Sequence, residues 1–137
     1  MALTHLVDTS VLTRLEEPAV RAVLEPLTAG GGVARAGICD LEVGFSARSA
    51  KEWDSLQDAL DSFALVETDA SHVRRARQVQ RMLAAQSQRG RKIPDLLVAA
   101  AAEEGGLIVI HYDADFDRIA AITGQRCEWI VPAGTVA

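Results

Sequence analysis

Four aspartates follow short apolar runs or open apolar helices: Asp8 after His5-Leu6-Val7, Asp95 after Pro94, and Asp113 and Asp115 beyond Leu107-Ile108-Val109-Ile110. A single aspartate at such a place is usually a helix cap, because its carboxylate satisfies free amides and complements the helix dipole. Asp95 is harder to explain that way. The segment behind it, Leu96-Leu97-Val98-Ala99-Ala100-Ala101-Ala102, is apolar on every side and predicts a buried helix. An acid at its mouth must be paired, bound to a cation or perturbed in pKa. Glu42 is a fifth candidate. At about 100° per residue, Ile38, Leu41 and Phe45 form one apolar arc with Glu42 at its edge, whereas Asp40 points the other way, toward solvent. The alternative for Glu42 is a snorkelling or paired side chain without chemistry. Several carboxylates in one crevice repel one another unless cations neutralise them. Hard oxygen ligands without converging His or Cys select Mg²⁺ or Mn²⁺ over zinc. Such a site suits hydrolysis of a phosphodiester by an activated water.

The elements that would gather these acids alternate between strand and helix. Short strands are expected at 5–7, 33–36, 63–66, 107–110 and 127–131. Helices are expected from about Val11 to Pro18, over 18–28, 38–48, 50–63 and 70–88, from Pro94 to Gly105, and over 115–122. Ser10 or Thr9 would cap the first helix, and Gly30-Gly31-Gly32 would end the second. This alternation indicates an α/β sandwich, a central and mostly parallel sheet flanked by helices. In such a sheet, ligands sit beyond the carboxyl ends of the strands, where these acids fall. The length of 137 residues suits a single domain over 1–137. No apolar run approaches the roughly 18 residues needed to span a bilayer, and no signal-peptide pattern opens the chain. Cys39 and Cys127 form no CxxC pair, so a reducing cytoplasm is expected.

A net charge of −5 disfavours non-specific coating of nucleic acid, yet the charge is segregated. Arg74, Arg75, Arg77, Arg81, Arg89, Arg91 and Lys92 lie in a run without any acid and lead directly to Asp95. Arg74, Arg77, Arg81, Arg89, Arg91 and Lys92 are the candidate contacts to a nucleic-acid backbone, since phosphate contacts supply most sequence-independent affinity. The alternative is a solvated helix face, but such a face usually mixes signs. With six aromatic residues, a stacking platform for single strands is not expected.

Val7-Asp8-Thr9-Ser10, Asp40-Leu41-Glu42, Ile93-Pro94-Asp95-Leu96-Leu97-Val98-Ala99-Ala100 and His111-Tyr112-Asp113-Ala114-Asp115-Phe116 resemble the four signature segments of PIN-domain ribonucleases. Their spacing resembles the VapC toxins of bacterial VapBC toxin–antitoxin modules. The resemblance runs through nearly the whole chain and implies a metal-dependent endoribonuclease, for which the few aromatic residues suit a structured RNA such as tRNA or rRNA and the basic run would be the RNA contact. It implies an acidic quartet of Asp8, Glu42, Asp95 and Asp113, with Asp115 adjacent. It also implies that Asp8 and Asp95 are direct Mg²⁺ ligands, with Asp113 or Asp115 assisting. Glu42 would orient or deprotonate the attacking water, leaving a 5′-phosphate and a 3′-hydroxyl. Ser10 matches a supporting hydroxyl residue. His111 replaces the family's usual Thr or Ser two positions before the fourth acid and could orient Asp113. A cognate VapB-like antitoxin that covers the site, and a homodimer, are further implications. Apolar residues such as Phe45 and Trp53, where exposed, would offer the antitoxin a groove. Two other readings remain: a phosphate-receiver-like signalling domain, which lacks its usual late lysine here, and a non-catalytic PIN-fold module that binds RNA.

Overall fold

The computed structural model describes residues 2–88 and 92–137. Its centre is β1, His5–Val7, which pairs in parallel with β2, Val33–Ala36, on one side and with β4, Ile108–His111, on the other. The outer strands are β3, Ala64–Val66, beside β2 and β5, Cys127–Trp129, beside β4, both also parallel. The order is β3-β2-β1-β4-β5. The chain therefore winds outward from β1 in one direction and then returns to the other side. This leaves a switch point between the carboxyl ends of β1 and β4. Val7 stands opposite both Arg35 and Ile110, and the Asp8 amide donates to the Ile110 carbonyl at 2.9 Å. That register brings the first residues beyond the two strands together.

The helices are α1 (Thr9–Leu12), α2 (Pro18–Ala29), α3 (Gly37–Phe45), α4 (Ala50–Ala59), α5 (Ala70–Ala85), α6 (Ile93–Gly105) and α7 (Asp115–Thr123), with a 3-10 turn at Leu60–Ser62. Leu6, Val7, Val109 and Ile110 of the central strands are buried among Val11, Cys39, Val98, Phe116 and Ile119 from the covering helices. As expected, α6 is buried along its alanine run, and Gly106 ends it in the left-handed conformation at φ 67°. No helix among the described residues is long and apolar enough to cross a membrane.

Several local expectations are corrected. The first helix begins at Thr9, not Val11, and Asp8 caps it in place of Thr9 or Ser10. The helix expected over 50–63 breaks into α4 and the 3-10 turn, and the last strand stops at Trp129. The arc of Ile38, Leu41 and Phe45 reaches the core only through the half-buried Ile38: Leu41 is 69% and Phe45 is 91% exposed. The compact residues Cys39 and Val43 are what α3 buries.

Candidate active site

Asp8 enters the switch point directly from β1 and is only 3% exposed. Its Oδ2 accepts the Ser10 amide at 3.0 Å, which fixes the carboxylate at the start of α1. Its Oδ1 is buried without a hydrogen bond. Ser10 in turn ties this end of the sheet together, because its Oγ accepts the Tyr112 amide at 2.8 Å. Asp95 lies in the first turn of α6, 4% exposed, and its Oδ2 is also buried and unbonded.

Asp113 comes after β4 in a tight turn where its Oδ1 accepts the Asp115 amide at 2.9 Å. His111 Nδ1 accepts the Asp113 amide at 3.2 Å, so this neutral ring carries its proton on Nε2. The expectation that His111 orients Asp113 thus has a physical basis in this bond. The ring is wholly buried, with its centroid 5.0 Å from those of both Phe116 and Trp129. Burial lowers its pKa, which keeps the ring neutral.

Glu42 reaches the site from α3, and its Oε1 accepts a 2.7 Å hydrogen bond from Thr9 Oγ1. Asp40 does not point freely to solvent. Arg35 Nε donates to it at 2.7 Å, and the same guanidinium donates to the Leu60 and Phe63 carbonyls. Glu42 shares a cavity with the aspartates, whereas Asp40 is an anchor for β2.

Asp8, Ser10, Glu42, Lys92, Asp95 and Asp113 line one cavity of about 250 Å³. Oxygens of Asp95, Asp113 and Asp115 come within 4.8 Å of one another, as do ligand atoms of Asp8, Cys39 and Glu42. This crowding sets the electrostatics. Burial, reinforced by the charges of Asp8 and Asp113, pushes Asp95 up to about 8. Burial also raises Asp8, against the opposing bonds from Ser10. Glu42 is raised by burial too, although the Thr9 hydroxyl resists. Burial acts in the same direction on Asp113, but the Lys92 ammonium and the Asp115 amide overcome it and hold that carboxyl below its usual range. Two buried carboxylate oxygens without donors, set among further acids, fit a hard divalent cation. Lys92, expected only among RNA contacts, places its Nζ inside this cluster, 2.5 Å from Asp113 Oδ2.

Arg74, Arg77 and Arg81 line an open groove of about 710 Å³ on α5, away from the acids. Arg89 and Arg91 lie outside the described residues. Thr9 and Tyr112, not singled out as site residues from the sequence, line the same cavity and bond to Glu42 and Ser10, and their only signal was adjacency to the strand-end acids. His72 on α5 is buried, accepts the Asp69 amide through Nδ1 and pairs with Glu104.

A parallel doubly wound sheet with carboxylates gathered at its switch point is the arrangement of the PIN domain. The model of that family matches residues 5–122, and the chain belongs to it. More particularly, the chain is 65% identical to Ribonuclease VapC51 of Mycobacterium tuberculosis (strain ATCC 25618 / H37Rv), with 99% of each chain covered. It is 48% identical to Ribonuclease VapC18 of the same strain, covering 95% of this chain and 97% of that one. In fold it is similar to the DNA-bound VapBC of Salmonella typhimurium, with a TM-score of 0.80 and 18% identity over 94% of this chain and 99% of that one.

Proposed function

We propose that this chain is a metal-dependent endoribonuclease, the toxin of a toxin–antitoxin pair, inhibited by a VapB-like antitoxin. The observation that carries the chemistry is the pair of buried, unbonded oxygens, Asp8 Oδ1 and Asp95 Oδ2, inside a cavity lined by Glu42 and Asp113. The membership in the PIN family and the likeness to VapC ribonucleases carry the substrate class. They also displace the phosphate-receiver reading. The full acid set favours catalysis over a non-catalytic RNA-binding module.

In this reading Asp8, Asp95 and Asp113 would hold Mg²⁺ or Mn²⁺, with Asp115 beside them. The cation supplies positive charge that acidifies water and offsets the charge gathering on the phosphate. Glu42, fixed by Thr9, orients the attacking water and accepts its proton. Attack on phosphorus breaks the bond to the 3′-oxygen, which takes up a proton from water, leaving a 5′-phosphate and a 3′-hydroxyl. Ser10 holds Asp8 and the turn after β4 at a fixed separation, and His111 fixes the amide of Asp113. Arg74, Arg77 and Arg81 offer the RNA backbone a row of exposed cations, extended in sequence by Arg89 and Arg91.

Leu41, Phe45 and Trp53 supply an exposed apolar strip on α3 and α4 that suits an antitoxin helix. The structural neighbours named as VapBC complexes support that partner. A homodimer in the cytoplasm completes the reading. The test is cleavage of total tRNA and rRNA by the purified protein with Mg²⁺, with EDTA, and with Asp95→Asn, followed by sequencing of the new 5′ ends. Cleavage that persists in EDTA or in the variant overturns the reading.

A further inference from the structure

Lys92 stands at the mouth of the acidic cavity as the residue before α6. Its ammonium donates to Asp113 Oδ2 at 2.5 Å and lies 3.8 Å from the unbonded Asp95 Oδ2. The other oxygen of Asp113 is already taken by the Asp115 amide. Lys92 therefore occupies the oxygen through which Asp113 could serve a metal. The three groups differ in freedom. The side chains of Asp95 and Asp113 are 5% and 17% exposed, but that of Lys92 is 58% exposed. The carboxylates cannot leave their places, whereas the ammonium can swing into water at little cost.

Resting on the metal-dependent reading above, we propose that Lys92 is a displaceable counter-cation. It neutralises Asp113 in the metal-free protein, competes with the divalent cation for Asp113 Oδ2, and once displaced is free to meet an RNA phosphate beside the site. Two partners for one ammonium, each available only in one state, couple the two binding events. Metal uptake releases the group that RNA needs, and RNA that holds Lys92 removes the competitor of the metal. By linkage the two ligands strengthen each other by the same factor. Lys92 so acts on the metal through Asp113 as a positioning residue. This differs from a fixed ion pair such as Arg35–Asp40, where both side chains are mostly buried.

The test is Mn²⁺ titration by calorimetry, without RNA, on the wild type, Lys92→Met, Lys92→Arg, Asp113→Asn and the Lys92→Met/Asp113→Asn double variant. Lys92→Met should bind Mn²⁺ about fivefold tighter than the wild type, the low end of typical coupling. Lys92→Arg, which keeps the charge, should stay closer to the wild type. In the Asp113→Asn background, Lys92→Met should lose most of its effect, because the contested oxygen is gone. Unchanged or weaker Mn²⁺ binding by Lys92→Met overturns the proposal. An equal gain in the Asp113→Asn background also overturns it, since that result would reflect only distant charge. At saturating Mn²⁺, Lys92→Met should raise the KM for RNA more than it lowers kcat, and an unchanged KM removes the phosphate half. A wild type that takes up Mn²⁺ but shows no Lys92 effect overturns the competition alone. A wild type that takes up no divalent cation overturns the underlying reading as well.

Discussion

Thr9 Oγ1 donates to Glu42 Oε1 at 2.7 Å, joining the first turn after β1 to α3 across 33 positions of sequence. The bond fixes a half-buried carboxylate and favours its ionised form against burial and the nearby charge of Asp8, both of which raise its pKa. Thr9→Val keeps the shape but removes the donor. A hydrogen bond to a charged group is worth about 1.5–3 kcal/mol, so kcat should fall by roughly 10- to 100-fold. Without its donor Glu42 ionises at higher pH, and the acidic limb of the pH–rate profile should move upward. A profile that keeps its position, with only a lower melting temperature, would make Thr9 a purely structural residue.

Asp95 ties stability to pH. Burial and the charge of Asp8 raise its carboxyl from 3.8 to about 8 in the fold. Between these values the unfolded chain has released a proton that the folded protein still holds. The contribution of Asp95 to stability therefore falls as pH rises through that window and levels off above it. Asp95→Asn should reduce this slope in EDTA, with Asp8, raised for the same reason, keeping part of it. At pH 8 the metal-free variant should melt about 5 °C above the wild type. It should also gain less from added Mn²⁺. Thermal denaturation from pH 5 to 9, with EDTA and with Mn²⁺, measures both effects, and parallel curves for the two proteins would contradict the assignment.

The strand-end acids are legible in the sequence because alternating strands and helices force a parallel sheet, and a parallel sheet gathers the residues just beyond its strand ends. Asp8 and Asp113 need no more than that, and Asp95 adds the apolar helix that it opens, whose start lies at the same edge of the sheet. Glu42 is singled out by an arc that turns out to face solvent at Leu41 and Phe45. An apolar stripe marks a face that avoids water, but cannot say whether the sheet or another surface covers it, and here Cys39 and Val43 take the sheet side. The partners of Asp40 and Asp113 are not legible at all. Arg35 reaches Asp40 from β2, and Lys92 reaches Asp113 across 21 positions. Both pairings depend on where a long flexible side chain ends, which periodicity does not encode.

Asp40 and Glu42, two residues apart on α3, should separate stability from activity. Arg35 holds Asp40 together with the carbonyls of Leu60 and Phe63, so it closes the end of the 3-10 turn onto β2. Arg35→Met strands one carboxylate and two carbonyls, and should cost about 3 kcal/mol in urea denaturation. Glu42→Gln relieves a raised carboxyl and should leave stability unchanged or higher, while lowering kcat by about 100-fold or more. Normal activity in Glu42→Gln would remove it from the proposed chemistry.

The basic face can be divided in the same manner, because its arginines are not equivalent. Arg75 is committed to Glu103 at 2.6 Å, with its pKa raised by that bond, and clamps α5 to α6. Arg74, Arg77 and Arg81 are exposed along the α5 groove. Removing one cation that neutralises a phosphate of single-stranded RNA flattens the dependence of log affinity on log salt by about 0.7. Arg74→Gln, Arg77→Gln and Arg81→Gln combined should therefore flatten it by about 2 and weaken binding at low salt. Arg75→Gln should lower the melting temperature and leave the salt slope unchanged. Binding isotherms on one RNA between about 50 and 200 mM salt, a range over which such slopes are resolved, give both values. If the triple variant keeps the wild-type slope, the α5 groove is a solvated helix face and the RNA path must run elsewhere on the protein.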